Sequence, residues 1–354
     1  MISPPRTQVR PSLEDRYSLE AGTLYLSGIQ ALIRLPIDQH RRDVAAGLRT
    51  RTFVTGYPGS PLGGYDLGLR AAGSVITESG ILHVPGQNEE LAMTALMGTQ
   101  MLDEHAHPDV DGVVGIWYGK GPGLDRSGDA LKHGNFAGTS RNGAVVVLSG
   151  EDHESKSSTL PFQEDYAFMN AGVPIVYPSS VSEFLEFGLH AIALSRYSGC
   201  WIAMKLVGQL CDGGETFSVA ADFPHIVIPE LTIGGKRFAK STDFRFFPGL
   251  NIEPERQLYR ERHAAVRAYA RANHLDRVLV RSSRDRVGLL SAGKSASDLQ
   301  QALLDLGFDD DALRAAGIRV AKLGLIYPAD ESFLREFAEG LDEIIVVEEK
   351  RGVV

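Results

Sequence analysis

Short apolar runs bounded by Gly or Pro alternate along this chain with longer stretches of helical period, the pattern of a mostly parallel α/β sheet. "RTFVTGYPGSP" (51–61) reads as a strand running into a tight turn. "GVVGIWYGKGPG" (112–123) and "GAVVVLSGEDHE" (143–154) repeat that strand-to-loop form, and "GVPIVYPSS" (172–180) and "CWIAMKLVG" (200–208) are further strands. Helices are predicted at "LAMTALMGTQMLDEH" (91–105) and "VSEFLEFGLHAIALSRYSG" (181–199). Open sheets of this kind gather ligands beyond the carboxyl ends of their strands, so the loops after the first three strands are where chemistry is to be sought.

The texture changes near Glu230. An arginine-rich stretch that ends in an amphipathic helix, "RFFPGLNIEPERQLYRERHAAVRAYARANHL", reads as a linker, and a strand-helix-strand-helix-strand pattern follows it. The division is an extension at 1–17, a first α/β domain at 18–230, a linker with a helix at 231–284 and a second α/β unit at 285–354. The last strand, "DEIIVV", has no helix after it, so the chain is expected to be a fragment or one part of a split system. There is no internal repeat.

Composition narrows the partners. The 354 residues are 43% hydrophobic and 23% charged, ordinary for a soluble globular protein with a large core. A net charge of -9 argues against nucleic acid, which is held by concentrated Lys and Arg. Two cysteines, Cys200 and Cys211, are too few for a disulfide framework or an iron–sulfur cluster and point to a reducing, cytoplasmic setting. No apolar run approaches the ~20 residues of a membrane span, and the N-terminus lacks a signal-peptide core.

The stretch "HVPGQNEELAMTALMG" (83–98) sets two acids at the mouth of an apolar helix. Asn88 is a good N-cap, and Glu89 and Glu90 fall in the first turn, where the helix dipole alone favours an acid by roughly 0.3–1 kcal/mol. Ala92, Ala95 and Gly98 would let another backbone approach that helix. In "GYPGSPLGG", Pro58 and Pro61 restrict a turn whose glycines admit a ligand close to the backbone. Lys120, Lys132 and His133 could face a carboxylate or simply lie in solvated loops. "GKGPGLDRSGD" lacks the ending of a phosphate loop. Asp152 and His153 have no further ligand at metal spacing, so no metal site is expected, and His190, inside an apolar helix, reads as a core histidine.

A glutamate opening an alanine-rich helix with a glycine nine positions on resembles the pyrimidine-binding domain of thiamine diphosphate enzymes. The loop Tyr57-Pro58-Gly59-Ser60-Pro61 resembles the Tyr-Pro-x-Thr/Ser-Pro loop of 2-oxoacid:ferredoxin oxidoreductases. With "LKHGN", "SKSSTLPFQED" and the terminal "KLGLIYPADESFLREFAEGLDEIIVVEEKR", nearly the whole chain is similar to the N-terminal part of indolepyruvate ferredoxin oxidoreductase in its long fused form. The resemblance implies a thiamine-diphosphate-binding-type parallel sheet domain of the pyrimidine-binding kind, followed by a partial transketolase-C-like domain. It implies that Glu89 is the activating acid, that Ser60 faces substrate, and that Tyr57, Pro58 and Gly59 line the cofactor. Lys120, Lys132, His133, Asp152, Ser157 and Ser158 are the substrate-side candidates.

The family's Gly-Asp-Gly segment for magnesium and diphosphate is missing, as are clustered cysteines. The resemblance therefore gives this chain only the pyrimidine half of the thiamine diphosphate site. Mg2+ and iron–sulfur clusters are expected outside it, in a downstream diphosphate-binding domain or subunit. For the complete enzyme, expected to be a dimer and cytoplasmic, it implies CoA-dependent oxidative decarboxylation of a 2-oxoacid such as indolepyruvate, with ferredoxin as acceptor; the chain alone would be inactive. Two alternatives stand beside this: a non-catalytic partner subunit, and a thiamine-dependent lyase or transketolase-like enzyme without ferredoxin.

Overall fold

The structure is a computed structural model that describes residues 12–354; residues 1–11 of the expected extension lie outside the described part. After a short helix at Asp15–Ser18 the chain forms β1 (Gly22–Ser27), which pairs antiparallel with β8 (Gly214–Val219) in a two-stranded ribbon. The strands β2 (Thr50–Gly56), β3 (Ile81–His83), β4 (Gly112–Lys120), β5 (Ala144–Glu151), β6 (Ile175–Val176) and β7 (Ile202–Val207) form the main sheet. All six run parallel, in the order β6-β7-β5-β4-β2-β3. Every residue of β5 and β7 is buried, as expected of strands covered on both faces, and their near-continuous apolar sequence is the reason.

Helices Gly28–Ala45 and Val181–Ser198 pack against each other beside this sheet. A side chain at Gly188 would meet Leu35 at 2.6 Å, so the glycine sets how closely they approach. Ser27 starts the first helix with a reciprocal capping box to Gln30, and Ser180 starts the second by accepting from the Glu183 N–H. The helix predicted to run to His105 ends at Thr99. Thr99 bonds back to the Leu96 carbonyl, and the buried Gln100 turns inward to donate to the Val113 carbonyl at 3.2 Å. Local period alone could not show that Gln100 serves the sheet rather than the helix.

After a small hairpin, β9 (Thr232–Ile233) with β10 (Lys236–Arg237), the linker climbs back along the first domain. The second sheet is built from β11 (Arg277–Val280), β12 (Val287–Ala292), β13 (Ile318–Leu323) and β15 (Glu343–Val347), in the order β11-β13-β12-β15. Its first strand falls inside the stretch read as linker, so the unit starts earlier than the sequence pattern suggested. Between β13 and β15, β14 (Leu325–Tyr327) leaves that sheet and joins the main one antiparallel to β6.

The two units therefore share a sheet edge and one hydrophobic core, in which Leu290, Leu323 and Phe337 are buried with Ile175 and Phe187. Asp276 ties the seam by accepting from the Gly324 and Leu325 N–H groups at 2.8 and 3.0 Å; burial pushes its carboxyl up to about 6 against those bonds. Lys322 adds a bond to Ser179 Oγ at 2.8 Å and an ion pair with Glu183. Both cysteines are buried and free. Among the described residues no helix is long and apolar enough to cross a membrane.

Candidate active site

The loops following β2, β4 and β5 meet at the carboxyl edge of the main sheet, where parallel topology collects ligand-facing groups. Gly56 ends β2 with φ +156° and lies on the backbone of Tyr118, close enough that any side chain there would collide with it. Pro61 closes the Tyr57–Pro61 loop over Gly150, where a side chain would approach Pro61 Cδ to 2.7 Å. Tyr57 and Pro58 are exposed, and Gly59 and Ser60 half-buried. A side chain at Gly59 would press on Lys120 Cδ at 2.8 Å.

The helix Glu89–Thr99 begins at the same edge. Asn88 caps it, accepting from the Leu91 N–H at 2.8 Å, and the buried Trp117 indole donates to the Glu89 carbonyl at 3.1 Å. The two acids then part. Glu90 is exposed, while Glu89 keeps only 6% of its surface. Its carboxylate accepts no hydrogen bond among the described residues; Arg126 Nη1, on a largely exposed side chain, stands 3.6 Å away. A methyl on Gly123 would lie 2.5 Å from Glu89 Cγ and 2.8 Å from Oε1, so the glycine leaves the acid its room. Glu89 is thus a largely buried carboxylate whose one charged neighbour is an exposed arginine.

Lys120, at the end of β4, donates to the carbonyl and the hydroxyl of Ser157 at 3.1 and 3.0 Å, bringing those two candidates together beneath Gly59. Asp152 is buried beside Gly208 with both carboxylate oxygens unpartnered. Ser158 is half-buried in the same loop. Lys132 and His133 stand apart from this group. They lie on the helix Gly128–Ala137, where His133 bonds to its own helix at the Asp129 carbonyl and packs edge-on against Phe246 of the linker. Lys132 lies over the Phe136 ring. A helix turns its side chains in fixed directions, and this one points both residues toward the linker.

Sequence reasoning passed over a second polar group at the same edge. Lys205, inside the buried β7, stands 2.9 Å from both Glu151 Oε2 and Asp165 Oδ2, above the Tyr177 ring. Glu164 bonds Ser149, and His153 lies 3.6 Å from both Glu151 and Glu349. Burial and the Glu151 charge push Glu164 well above the usual range. Burial also acts against Glu151 and Lys205, but His153 and Lys205 outweigh it for the first, and Glu151 and Asp165 for the second, so both ionise readily. A lysine inside the apolar run "CWIAMKLVG" was the available signal. Among the described residues no group of His, Cys, Asp or Glu side chains is placed to hold a metal ion.

The sheet has the α/β fold of the thiamine-diphosphate-binding type. The structure superposes on 2-oxoglutarate:ferredoxin oxidoreductase from Magnetococcus marinus with a TM-score of 0.63 and 13% identity, covering 92% of this chain and 57% of that one. Transketolase from Leishmania mexicana gives a TM-score of 0.50 at 12% identity, covering 94% and 40%.

The sequences narrow the likeness to the indolepyruvate ferredoxin oxidoreductases. The family model of the indolepyruvate ferredoxin oxidoreductase middle domain matches residues 276–354. The chain is 24% identical over 340 residues to the indolepyruvate oxidoreductase subunit IorA of Methanothermobacter marburgensis, covering 95% of this chain and 48% of that one. The IorA of Pyrococcus abyssi is 24% identical over 249 residues, covering 66% and 34%. The resemblance read from the motifs is therefore shown along nearly the whole chain, which spans about half the length of the IorA of Methanothermobacter marburgensis.

Proposed function

We propose that this chain supplies the pyrimidine-binding half of a thiamine-diphosphate-dependent 2-oxoacid oxidoreductase. Its substrate is an arylpyruvate of the indolepyruvate type, with CoA as acyl acceptor and ferredoxin as electron acceptor. The likeness to IorA supports the substrate class, and the buried carboxylate of Glu89, with no hydrogen bond from the described residues, at the carboxyl edge of the sheet carries the reading. The residues fit the group: the acid accepts no hydrogen bond from the described residues, Gly123 keeps space beside it, and the Gly56–Pro61 turn brings backbone near the same edge. When bound, thiamine diphosphate supplies a carbanion that adds to a 2-oxo group and accepts the electrons left by decarboxylation.

Glu89 would hold the pyrimidine ring nitrogen through its carboxyl and move a proton there. Ser60 offers a hydroxyl and Lys120 a positive charge near the 2-oxoacid, with Ser157 fixing the lysine. Tyr57, Leu82, Val84 and Leu91 leave apolar side chains exposed around the entrance, which suits coverage by the domain or partner subunit that binds the diphosphate and Mg2+ and excludes water from the site.

The test is Glu89→Gln in the full-length protein with its partners. Dye or ferredoxin reduction by indolepyruvate and CoA should fall by about 100-fold or more, with unfolding stability changed by less than about 1 kcal/mol. Full activity in that variant would instead support a non-catalytic partner subunit. Decarboxylation without any electron acceptor would favour a lyase.

A further inference from the structure

The irregular stretch between β5 and the helix Asp165–Asn170 is the longest of the three loops at the site edge, and it carries Ser157 and Ser158. Such loops cost conformational entropy to hold and need a device at their ends. Here the ends are Glu151 on one side and Glu164 and Asp165 on the other, all three buried. The ammonium of Lys205 reaches from the adjacent strand β7 and stands 2.9 Å from an oxygen of Glu151 and 2.9 Å from one of Asp165. Outside this neck, Lys350 spans the same two ends, donating to the His153 and Phe162 carbonyls at 3.3 and 3.1 Å, but these bonds are exposed and correspondingly weak.

Contacts run from the neck to the proposed site without a break. Ser157 accepts from Lys120. Phe162 fills the space over Gly121, where any side chain would strike its ring. Gly123, two residues on, borders Glu89. Ser155 adopts a left-handed backbone with φ 64°, an unfavourable state for a residue with a side chain that persists only where the surroundings enforce it.

We infer that Lys205 is a positioning residue: by joining Glu151 to Asp165 it closes the neck of loop 152–163 and so sets Ser157, Lys120 and Phe162 against the 2-oxoacid. This role rests on the reading of that loop as a wall of the proposed site. Lys205 touches no substrate in it. Its loss frees the loop without removing any group from the reacting atoms.

The experiment uses the full-length protein with its partners in two forms. One is Lys205→Met; the other combines Glu151→Gln, Asp165→Asn and Lys205→Met, which removes the charges together and keeps the fold measurable where the single change does not. Amide hydrogen exchange in 154–162 should quicken by about tenfold or more in the combined variant, with the strands unchanged. The KM for the 2-oxoacid should rise about tenfold while kcat changes by less than about threefold. Unchanged exchange overturns the inference, and so does a loosened loop with an unaltered KM. Exchange is read without turnover, so this outcome is separate from that of Glu89→Gln, whose full activity would overturn the reading of the site.

Discussion

Glu89 and Glu151 are both buried carboxylates at the carboxyl ends of the same parallel sheet, and the fold treats them oppositely. Around Glu151 the chain brings its own cation, Lys205, together with Asp165 and His153, so that the charge is answered from within. Around Glu89 it supplies a helix N-terminus, a mostly exposed arginine 3.6 Å away, and a glycine where a side chain would have filled the space. An interior carboxylate answered from within serves as framework; one met only by an exposed side chain at a sheet edge is, on the proposed reading, available to something outside the chain. Two buried histidines show a third solution. His190, bonded to Tyr269 at 3.0 Å, and His263, bonded to the Gly172 carbonyl at 2.9 Å, are both pushed down to about 4 by burial and stay neutral.

These three treatments separate under perturbation. Acid should act most strongly through the histidines. Their folded values lie below the unfolded 6.5, so the stability they allow is complete above 6.5 and is lost as the pH falls toward 4. The loss reaches roughly 3 kcal/mol for each, and denaturant titrations at pH 7.5 and 4.5 measure it; a flat profile in wild type would break this part of the comparison. Next, Lys205→Met leaves two buried carboxylates uncompensated and should lower unfolding free energy by about 3–5 kcal/mol, in contrast to the small stability effect of Glu89→Gln.

A smaller effect sharpens the contrast at the open site. Gly123→Ala should displace the Glu89 carboxylate and reduce turnover by about tenfold, roughly 1.4 kcal/mol, while the fold tolerates it. Activity that survives Gly123→Ala intact would mean that the space beside Glu89 is not used. Smallest of all, Lys132→Ala and His133→Ala should each change 2-oxoacid turnover by less than about twofold, since both side chains face the linker. A large loss in either would return them to the substrate side.

Much of the framework was legible in the chain. Apolar runs bounded by Gly and Pro marked β2, β4, β5 and β7, because strands covered on both faces need little else, and Asn88 announced the start of the Glu89 helix through local capping chemistry. The motifs around Ser60 and Glu89 carried the family likeness on residue type and spacing alone. The choice of Glu89 over Glu90 was made on spacing; in the fold the first is buried and the second exposed.

What the tertiary structure decided was every relation between residues distant in sequence. It alone showed that β14 crosses to the first sheet and joins the two units, and that Lys132 and His133 turn away from Lys120. It alone set Lys205 between Glu151 and Asp165 and brought Gly123 beside Glu89. The physical reason is that periodicity and capping are written in neighbours a few positions apart. The pairing of a buried charge, or the space left beside one, depends on which strands lie side by side, and that is settled only when the whole sheet has formed.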